Sequence, residues 1–226
     1  MALTAAVCVG LDGAFYRPFR RSPTIIVVIA SFGVALMVRS AIQLIWGVEI
    51  SSYVRGIQRP LVVFDSLRIA ERHIQILVIA VLLVSALHVF LTRTRMGKAM
   101  RAMSDDADLA RVSGIDTRRV VLWTWIIGGG LAGAAGVFLG MDTQLNPNMG
   151  WDQLLPIFAA AILGGIGRPY GAIAGGMVVG LAEELASYPW FGTAPLLSPG
   201  YKSAVAFGIM VAMLIWRPSG LFRGRV

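Results

Sequence analysis

The chain has 226 residues, of which 57% are hydrophobic and 14% are charged, and its formal net charge is +8. Soluble domains carry about a quarter charged residues, so this composition excludes an ordinary soluble domain and indicates a membrane protein. The basic residues form short clusters between apolar runs instead of one basic surface, which argues against nucleic-acid binding and is typical of the signals that orient membrane proteins.

Apolar segments follow one another along the chain, and each is predicted to be a helix because backbone groups in lipid must form hydrogen bonds within their own segment. A span needs about 20 apolar helical residues. The segments of about that length are 24–46, 74–91 and 120–141, and the shorter ones are 1–11, 154–166, 171–186 and 204–216, the last expected to begin nearer Tyr201. The predicted fold is therefore an all-α, polytopic transmembrane helix bundle of about six to seven apolar segments, in a single domain over residues 1–226.

The arginine-rich segments indicate the orientation of the chain. Segments 16–23 and 92–119 and the tail RPSGLFRGRV fall on one side if every apolar segment crosses, and the positive-inside tendency makes that side cytoplasmic. The loop 47–72, placed outside by this reasoning, also carries four arginines. The side of this loop therefore stays open.

One short charged helix is predicted in the middle of this apolar chain, over residues 104–113. Ser104 is the expected N-cap, and Asp105 and Asp106 fall in the first turn, where the helix dipole favours negative charge. Asp108 and Arg111 are three apart and can pair. Gly114 offers a left-handed stop, followed by Ile115.

A helix of this length is unstable alone in water, so this one needs a surface to pack on. Met103, Leu109 and Val112 give it a small apolar stripe. One alternative is an amphipathic helix lying on lipid headgroups. The other is a coupling helix that fits into a cleft of a soluble motor subunit.

Glycines spaced four apart indicate close approach of membrane helices. The glycine-rich segments also contain Pro156 and Pro169, and short, interrupted apolar segments often lie beside transport sites. Glu183, near the end of a predicted span, is either interfacial or part of a pathway. The residues predicted to serve helix packing or a translocation path are Gly129, Gly133, Gly136, Gly164, Gly165, Gly167, Gly175, Gly176, Gly180 and Glu183.

The sequence offers no catalytic motif. It lacks a phosphate-binding G-x-x-x-x-G-K-[ST] loop and the G-x-S-x-G and H-E-x-x-H patterns. His73 and His88 are too far apart on one predicted span to share a metal, so an interfacial or packing role is expected. We therefore predict that the chain is not an enzyme and binds no metal or cofactor itself.

Several ordered segments carry a family resemblance. RTRMGKAMRAMSDDADLARVSGIDTRRV resembles the cytoplasmic loop of permease subunits of the branched-chain amino-acid ABC importers. AFYRPFRRSPTIIVVIASFGVALMV upstream, and GGGLAGAAGVFLG, AAILGGIGRPYGAIAGGMVVGLAEE and YKSAVAFGIMVAMLIWRPSGLFR downstream, are similar to the family in the same order. The resemblance thus covers nearly the whole chain.

The resemblance implies a multi-pass permease of the bacterial inner membrane. Its implied partners are a second permease subunit, two cytoplasmic ATPase subunits that hold the ATP, and an external solute-binding protein. The resemblance also implies that Glu183 matches a carboxylate in the family's GLAE segment. The residues expected to dock on the ATPase are Ser104, Asp105, Asp106, Asp108, Leu109, Arg111, Val112, Gly114 and Ile115.

Family members normally begin with further membrane helices, so we expect either an upstream start or an N-terminally truncated permease. The predicted function is translocation of branched-chain amino acids or related small solutes, energised by separate ATPase subunits. Related permeases serve other amino acids, amides and aromatic acids, so the solute stays open. The alternatives are a secondary transporter without an ATPase and an inactive, truncated membrane scaffold.

Overall fold

The computed structural model describes residues 1–19, 22–53, 61–63, 67–165, 167, 169–189, 198–217 and 220. These residues are helical except for connecting segments and one antiparallel hairpin, β1 (Leu61–Val63) and β2 (Leu67–Ile69), in which Val62 is opposite Arg68. The prediction of an all-α helical membrane protein is confirmed. The chain divides into two compact units, Met1–Pro147 and Asn148–Val226, which are described in turn.

Among the described residues of the first unit, three helices are long and apolar enough to cross a membrane, over Ile25–Trp46, Glu71–Arg93 and Thr117–Asp142. They agree closely with the segments predicted from the sequence. The α-helices of this unit are α1 (Ala2–Leu11), α2 (Arg17–Phe19), α3 (Thr24–Trp46), α4 (Glu71–Arg93), α5 (Arg95–Asp105), α6 (Ala107–Val112) and α7 (Thr117–Asp142). A π-helical segment, Asp12–Tyr16, joins α1 to α2.

Helix α1 lies directly against α7, and the contact depends on glycine. A Cβ atom built on Gly129 would lie 2.9 Å from both Cβ and Sγ of Cys8, and one on Gly133 would meet the side chain of Thr4. Because both positions lack a side chain, the two helices approach closely there. A Cβ on Gly136 would meet nothing within 4 Å, so this glycine is not required by a neighbouring contact.

A disulfide tests the contact between α1 and α7, because Cys8 is the only cysteine of the chain. We expect Gly129→Cys to cross-link to Cys8 under mild oxidation after a small outward shift of α1, since disulfides favour Cβ atoms about 3.5–4.5 Å apart. The control is Gly128→Cys, whose Cβ meets nothing within 4 Å. The cross-link is read as resistance to thiol labelling. Equal labelling of both variants would contradict this packing.

One end of α4 is tied to one end of α7. Arg72 donates a hydrogen bond from Nη1 to the Met141 carbonyl over 3.3 Å, and His73 Nε2 lies 3.0 Å from Asp142 Oδ1. Ser51 and Leu145 also exchange two backbone hydrogen bonds of 3.0 and 2.7 Å.

The arginines of the predicted loop 47–72 do not all lie in a loop, because Arg72 belongs to α4. Of the other arginines predicted in this loop, Arg55 and Arg59 lie outside the described residues, as do Arg20, Arg21 and most of the basic tail.

In the second unit, the three longer helices pack on one another, and a fourth, one-turn helix precedes them. Its α-helices are α8 (Met149–Asp152), α9 (Leu154–Gly164), α10 (Pro169–Ser187) and α11 (Lys202–Trp216), and a 3-10 turn covers Pro199–Tyr201. The buried side chains of Ala159, Leu163, Val179 and Ala206 form its core. Lys202 Nζ lies 2.6 Å from Glu184 Oε1 and links α11 to α10. The shorter predicted segments are therefore helices too.

Candidate functional site

Helix α5 follows the membrane-crossing helix α4 directly, with only Thr94 between them. Thr94 Oγ1 donates to the Phe90 carbonyl over 2.7 Å and accepts from the Gly97 N–H over 3.0 Å, so one side chain ends α4 and caps α5. Gly97 is buried, and a Cβ there would overlap the backbone of Phe90 and Leu91. This close contact fixes α5 against the end of α4.

The start of the short charged helix differs from the prediction. Residues 104–113 do not form one helix, because Asp106 has an extended backbone (φ −153°, ψ 109°) that separates α5 from α6. Its Oδ1 accepts hydrogen bonds of 2.9 Å from the N–H groups of Asp108 and Leu109. Asp106 is therefore the N-cap, and the assignment of Ser104 to that role was wrong. Ser104 and Asp105 belong to the last turn of α5.

The end of α6 is fixed by backbone hydrogen bonds around Gly114, which has φ +83°. The Gly114 N–H donates to the Arg111 carbonyl over 3.1 Å, and the Ile115 N–H donates to the Ala110 carbonyl over 3.0 Å. These two bonds form a Schellman motif, which satisfies carbonyls that would otherwise be left open at the helix end. The prediction that Gly114 ends the helix in a left-handed backbone conformation is confirmed.

A second aspartate cap follows immediately. Asp116 Oδ1 accepts from the N–H groups of Arg118 and Arg119 over 3.1 and 3.2 Å, and it begins α7. Sequence reasoning did not assign this cap, although an aspartate just before a long apolar run is a recognised start signal. Thr94 and Gly97 therefore join α5 to α4, Asp106 joins α6 to α5, and Asp116 starts α7 just after α6.

The outer surface of α6 combines exposed apolar side chains with a surface ion pair. Leu109 is 64% exposed and Val112 is 86% exposed, whereas Ala110 is buried against the protein. Arg111 Nη1 lies 3.6 Å from Asp108 Oδ1, as the spacing predicted. The described part of the chain leaves these two apolar side chains exposed, next to the ion pair.

The cap on α6 gives a local prediction. We expect Asp106→Ala to destabilise α6 by about 1 kcal/mol, because two N–H groups of its first turn lose their acceptor. Hydrogen exchange read by mass spectrometry should become faster at residues 108–112. Ser104→Ala is the matched control, since Ser104 lies before the break, and it should leave the exchange unchanged. Faster exchange at these residues in the Ser104 variant alone would indicate that Ser104, and not Asp106, is the N-cap.

The glycines of the second unit fall into two groups. A Cβ on Gly164 would overlap the backbone of Gly171, and one on Gly175 would overlap the Ala160 carbonyl. A Cβ on Gly176 or Gly180 would meet nothing within 4 Å. The first group allows α9 and α10 to pack closely, and the second forms an open row on α10.

The remaining predicted residues lie at turns or near the end of α10. Gly165 and Gly167 have φ of +94° and +88°, and both lie where the chain leaves α9 and turns towards α10. Glu183 Oε1 is buried without a hydrogen-bond partner among the described residues, while the neighbouring Glu184 pairs with Lys202. Of the predicted translocation residues in this unit, Gly164 and Gly175 are brought together by packing.

Comparison with known proteins identifies the family. The family model described as branched-chain amino acid transport system / permease component matches residues 1–214. The chain is 31% identical over 224 residues to the high-affinity branched-chain amino acid transport system permease protein BraD of Pseudomonas aeruginosa. This alignment covers 97% of this chain and 71% of BraD. No solved structure matches the chain.

Two proteins of Escherichia coli K12 are also similar to this chain. Identity to the permease protein LivH is 33% over 219 residues, or 93% of this chain and 68% of LivH. Identity to the high-affinity branched-chain amino acid transport system permease protein LivM is 30% over 158 residues, or 67% of this chain and 35% of LivM. The chain therefore belongs to the family of branched-chain amino acid transport system permease components.

Proposed function

We propose that this chain is the membrane permease subunit of an ABC importer that carries branched-chain amino acids across the bacterial inner membrane. The energy comes from ATP hydrolysis on separate cytoplasmic ATPase subunits, and this chain binds no nucleotide itself. Support comes from family membership and from relatives named as branched-chain amino acid permeases. The complete importer also contains a second permease subunit and an external solute-binding protein.

One structural observation carries the coupling part of this proposal: α6 presents Leu109 and Val112 outward. The helix is followed directly by the membrane-crossing helix α7 and preceded by α5, which is packed on the end of α4. Thr94 and Gly97 hold α5 on the end of α4, and Asp116 caps the start of α7. A force applied to α6 is therefore passed to α4 and α7 through short junctions. Docking of α6 in a cleft of the ATPase converts nucleotide-driven motion of that subunit into helix movement here.

The solute path is proposed to include the glycine-rich region of α9 and α10 and the carboxylate of Glu183. The Glu183 oxygen without a hydrogen-bond partner among the described residues supplies a polar group near the end of α10, and such groups in membranes are usually functional. The open row of Gly176 and Gly180 gives the second permease subunit a surface for close helix approach.

Uptake in cells tests the transported solute. A strain without its own branched-chain amino acid uptake should accumulate labelled leucine when it expresses this chain with its second permease, ATPase and binding protein. Excess unlabelled isoleucine and valine should compete, whereas an aromatic acid or an amide should not. If only the amide or the aromatic acid competes, the transported solute is a different one. If uptake persists without this chain, the chain is not part of the importer.

A further inference from the structure

An apolar groove lies between α4 and α7 in the first unit. It has a volume of about 350 Å³ and is lined by Met1, by Leu87 and Phe90 of α4, and by Trp123, Ile127 and Gly130 of α7. Both helices are long and apolar enough to cross a membrane, so the groove lies at membrane depth. Such a groove accepts a hydrocarbon chain.

Two arginines stand beyond one end of the groove. That end is marked by Phe90 and Trp123, whose ring centroids are 6.1 Å apart. Arg93 follows Phe90 by three residues on α4, and Arg119 precedes Trp123 by four residues on α7. Residues three or four apart share a helix face, so each arginine lies on the groove-lining face of its helix, one turn further towards the junction with α5 or α6.

Both arginines have donors available for an anion. Arg93 is exposed and forms no ion pair within the described part of the chain. Arg119 Nε lies 3.1 Å from Asp116 Oδ2, and the Nη donors of its guanidinium group have no partner among the described residues. The adjoining helix α5 adds the exposed side chains of Arg95, Lys98 and Arg101. Basic clusters of this kind beside a membrane span attract anionic lipid headgroups.

We propose that this groove is a binding site for an anionic phospholipid. One acyl chain lies in the groove between α4 and α7, and the phosphate of the headgroup accepts hydrogen bonds from Arg93 and Arg119. The site lies at the junctions that hold α5 and α6. A bound lipid therefore bridges α4 and α7 next to the segment proposed to dock on the ATPase.

Lipid titration followed by native mass spectrometry tests the headgroup assignment. The purified full chain should bind one phosphatidylglycerol more tightly than phosphatidylcholine with the same acyl chains. The double variant Arg93→Gln/Arg119→Gln should weaken phosphatidylglycerol binding about 30-fold and leave phosphatidylcholine binding unchanged. Arg217→Glu is the control for net charge, since it also lowers the charge by two, and Arg217 is exposed and lies after α11 in the second unit. An equal loss in this control would overturn the proposal.

A second pair of variants tests the groove itself. Gly130→Leu places a side chain in the groove without a backbone clash, and Gly128→Leu adds the same side chain where a Cβ also meets nothing within 4 Å. We expect the Gly130 variant to lose the bound phosphatidylglycerol and the Gly128 variant to keep it. Retention by both variants would contradict the site. Displacement of the lipid when the second permease is added would show that the groove is a protein interface instead.

Discussion

Replacing Leu109 with aspartate should abolish retention of the ATPase subunit by this chain in a membrane pull-down. The side chain is 64% exposed on α6 and lies in the centre of the surface proposed to dock. An aspartate there would bury an unpaired carboxylate in an apolar contact, and such a change at a central interface position costs several kcal/mol. That cost corresponds to a loss of at least about 100-fold in affinity.

The control for this experiment is a variant that also adds one negative charge, but away from α6. Gln144→Asp adds a carboxylate at an exposed position just after α7, at the opposite end of that helix from α6. We expect it to retain the ATPase as the native chain does, and both variants should reach the membrane in equal amounts. If the Leu109 variant retains the ATPase fully, α6 is not the docking element.

Adding one methyl group at Gly175 should destabilise the second unit. A Cβ there would overlap the Ala160 carbonyl and lie 2.9 Å from the Gly164 amide nitrogen, so α9 and α10 must move apart. Overpacking of this kind costs about 1–3 kcal/mol. We expect Gly175→Ala to lower the midpoint of thermal unfolding in detergent by on the order of 5 °C.

The neighbouring glycine supplies the matched control for this prediction. A Cβ at Gly176 meets nothing within 4 Å, and alanine is a better helix former than glycine. Gly176→Ala should therefore leave the isolated chain as stable as the native one or slightly more stable. Equal destabilisation by the two variants would contradict the packing of α9 on α10. Weaker assembly of the Gly176 variant with the second permease would support the open row as their interface.

Local signals in the sequence were enough to predict the long apolar helices. Apolar length predicted the three long helices, and Gly114 predicted the end of α6. Sequence also indicated the pairing of Asp108 with Arg111, because these interactions act within one or two helical turns. The cap was misplaced because Ser104, Asp105 and Asp106 are adjacent good caps. Only the backbone conformation of Asp106 and its two hydrogen bonds decide between them.

Contacts between distant segments could not be predicted in the same way. His73 was expected to have an interfacial or packing role, and it pairs with Asp142, which lies on another helix. The four-residue spacing of Gly129 and Gly133 indicated a close helix neighbour, but α1 was not identified as that neighbour. Spacing alone also gave Gly175 and Gly176 equal weight. The space beside each one depends on which face of α10 meets α9.

The most direct test of the proposed transport function is ATP-driven uptake of labelled leucine into proteoliposomes. They should contain this chain, its second permease and its ATPase subunits, with the binding protein outside and ATP inside. We expect leucine to accumulate with ATP and not with ADP, and an ion gradient alone should drive no uptake. Accumulation driven by an ion gradient without the ATPase would indicate a secondary transporter. An assembled complex that hydrolyses ATP but moves no leucine would equally contradict the proposed function.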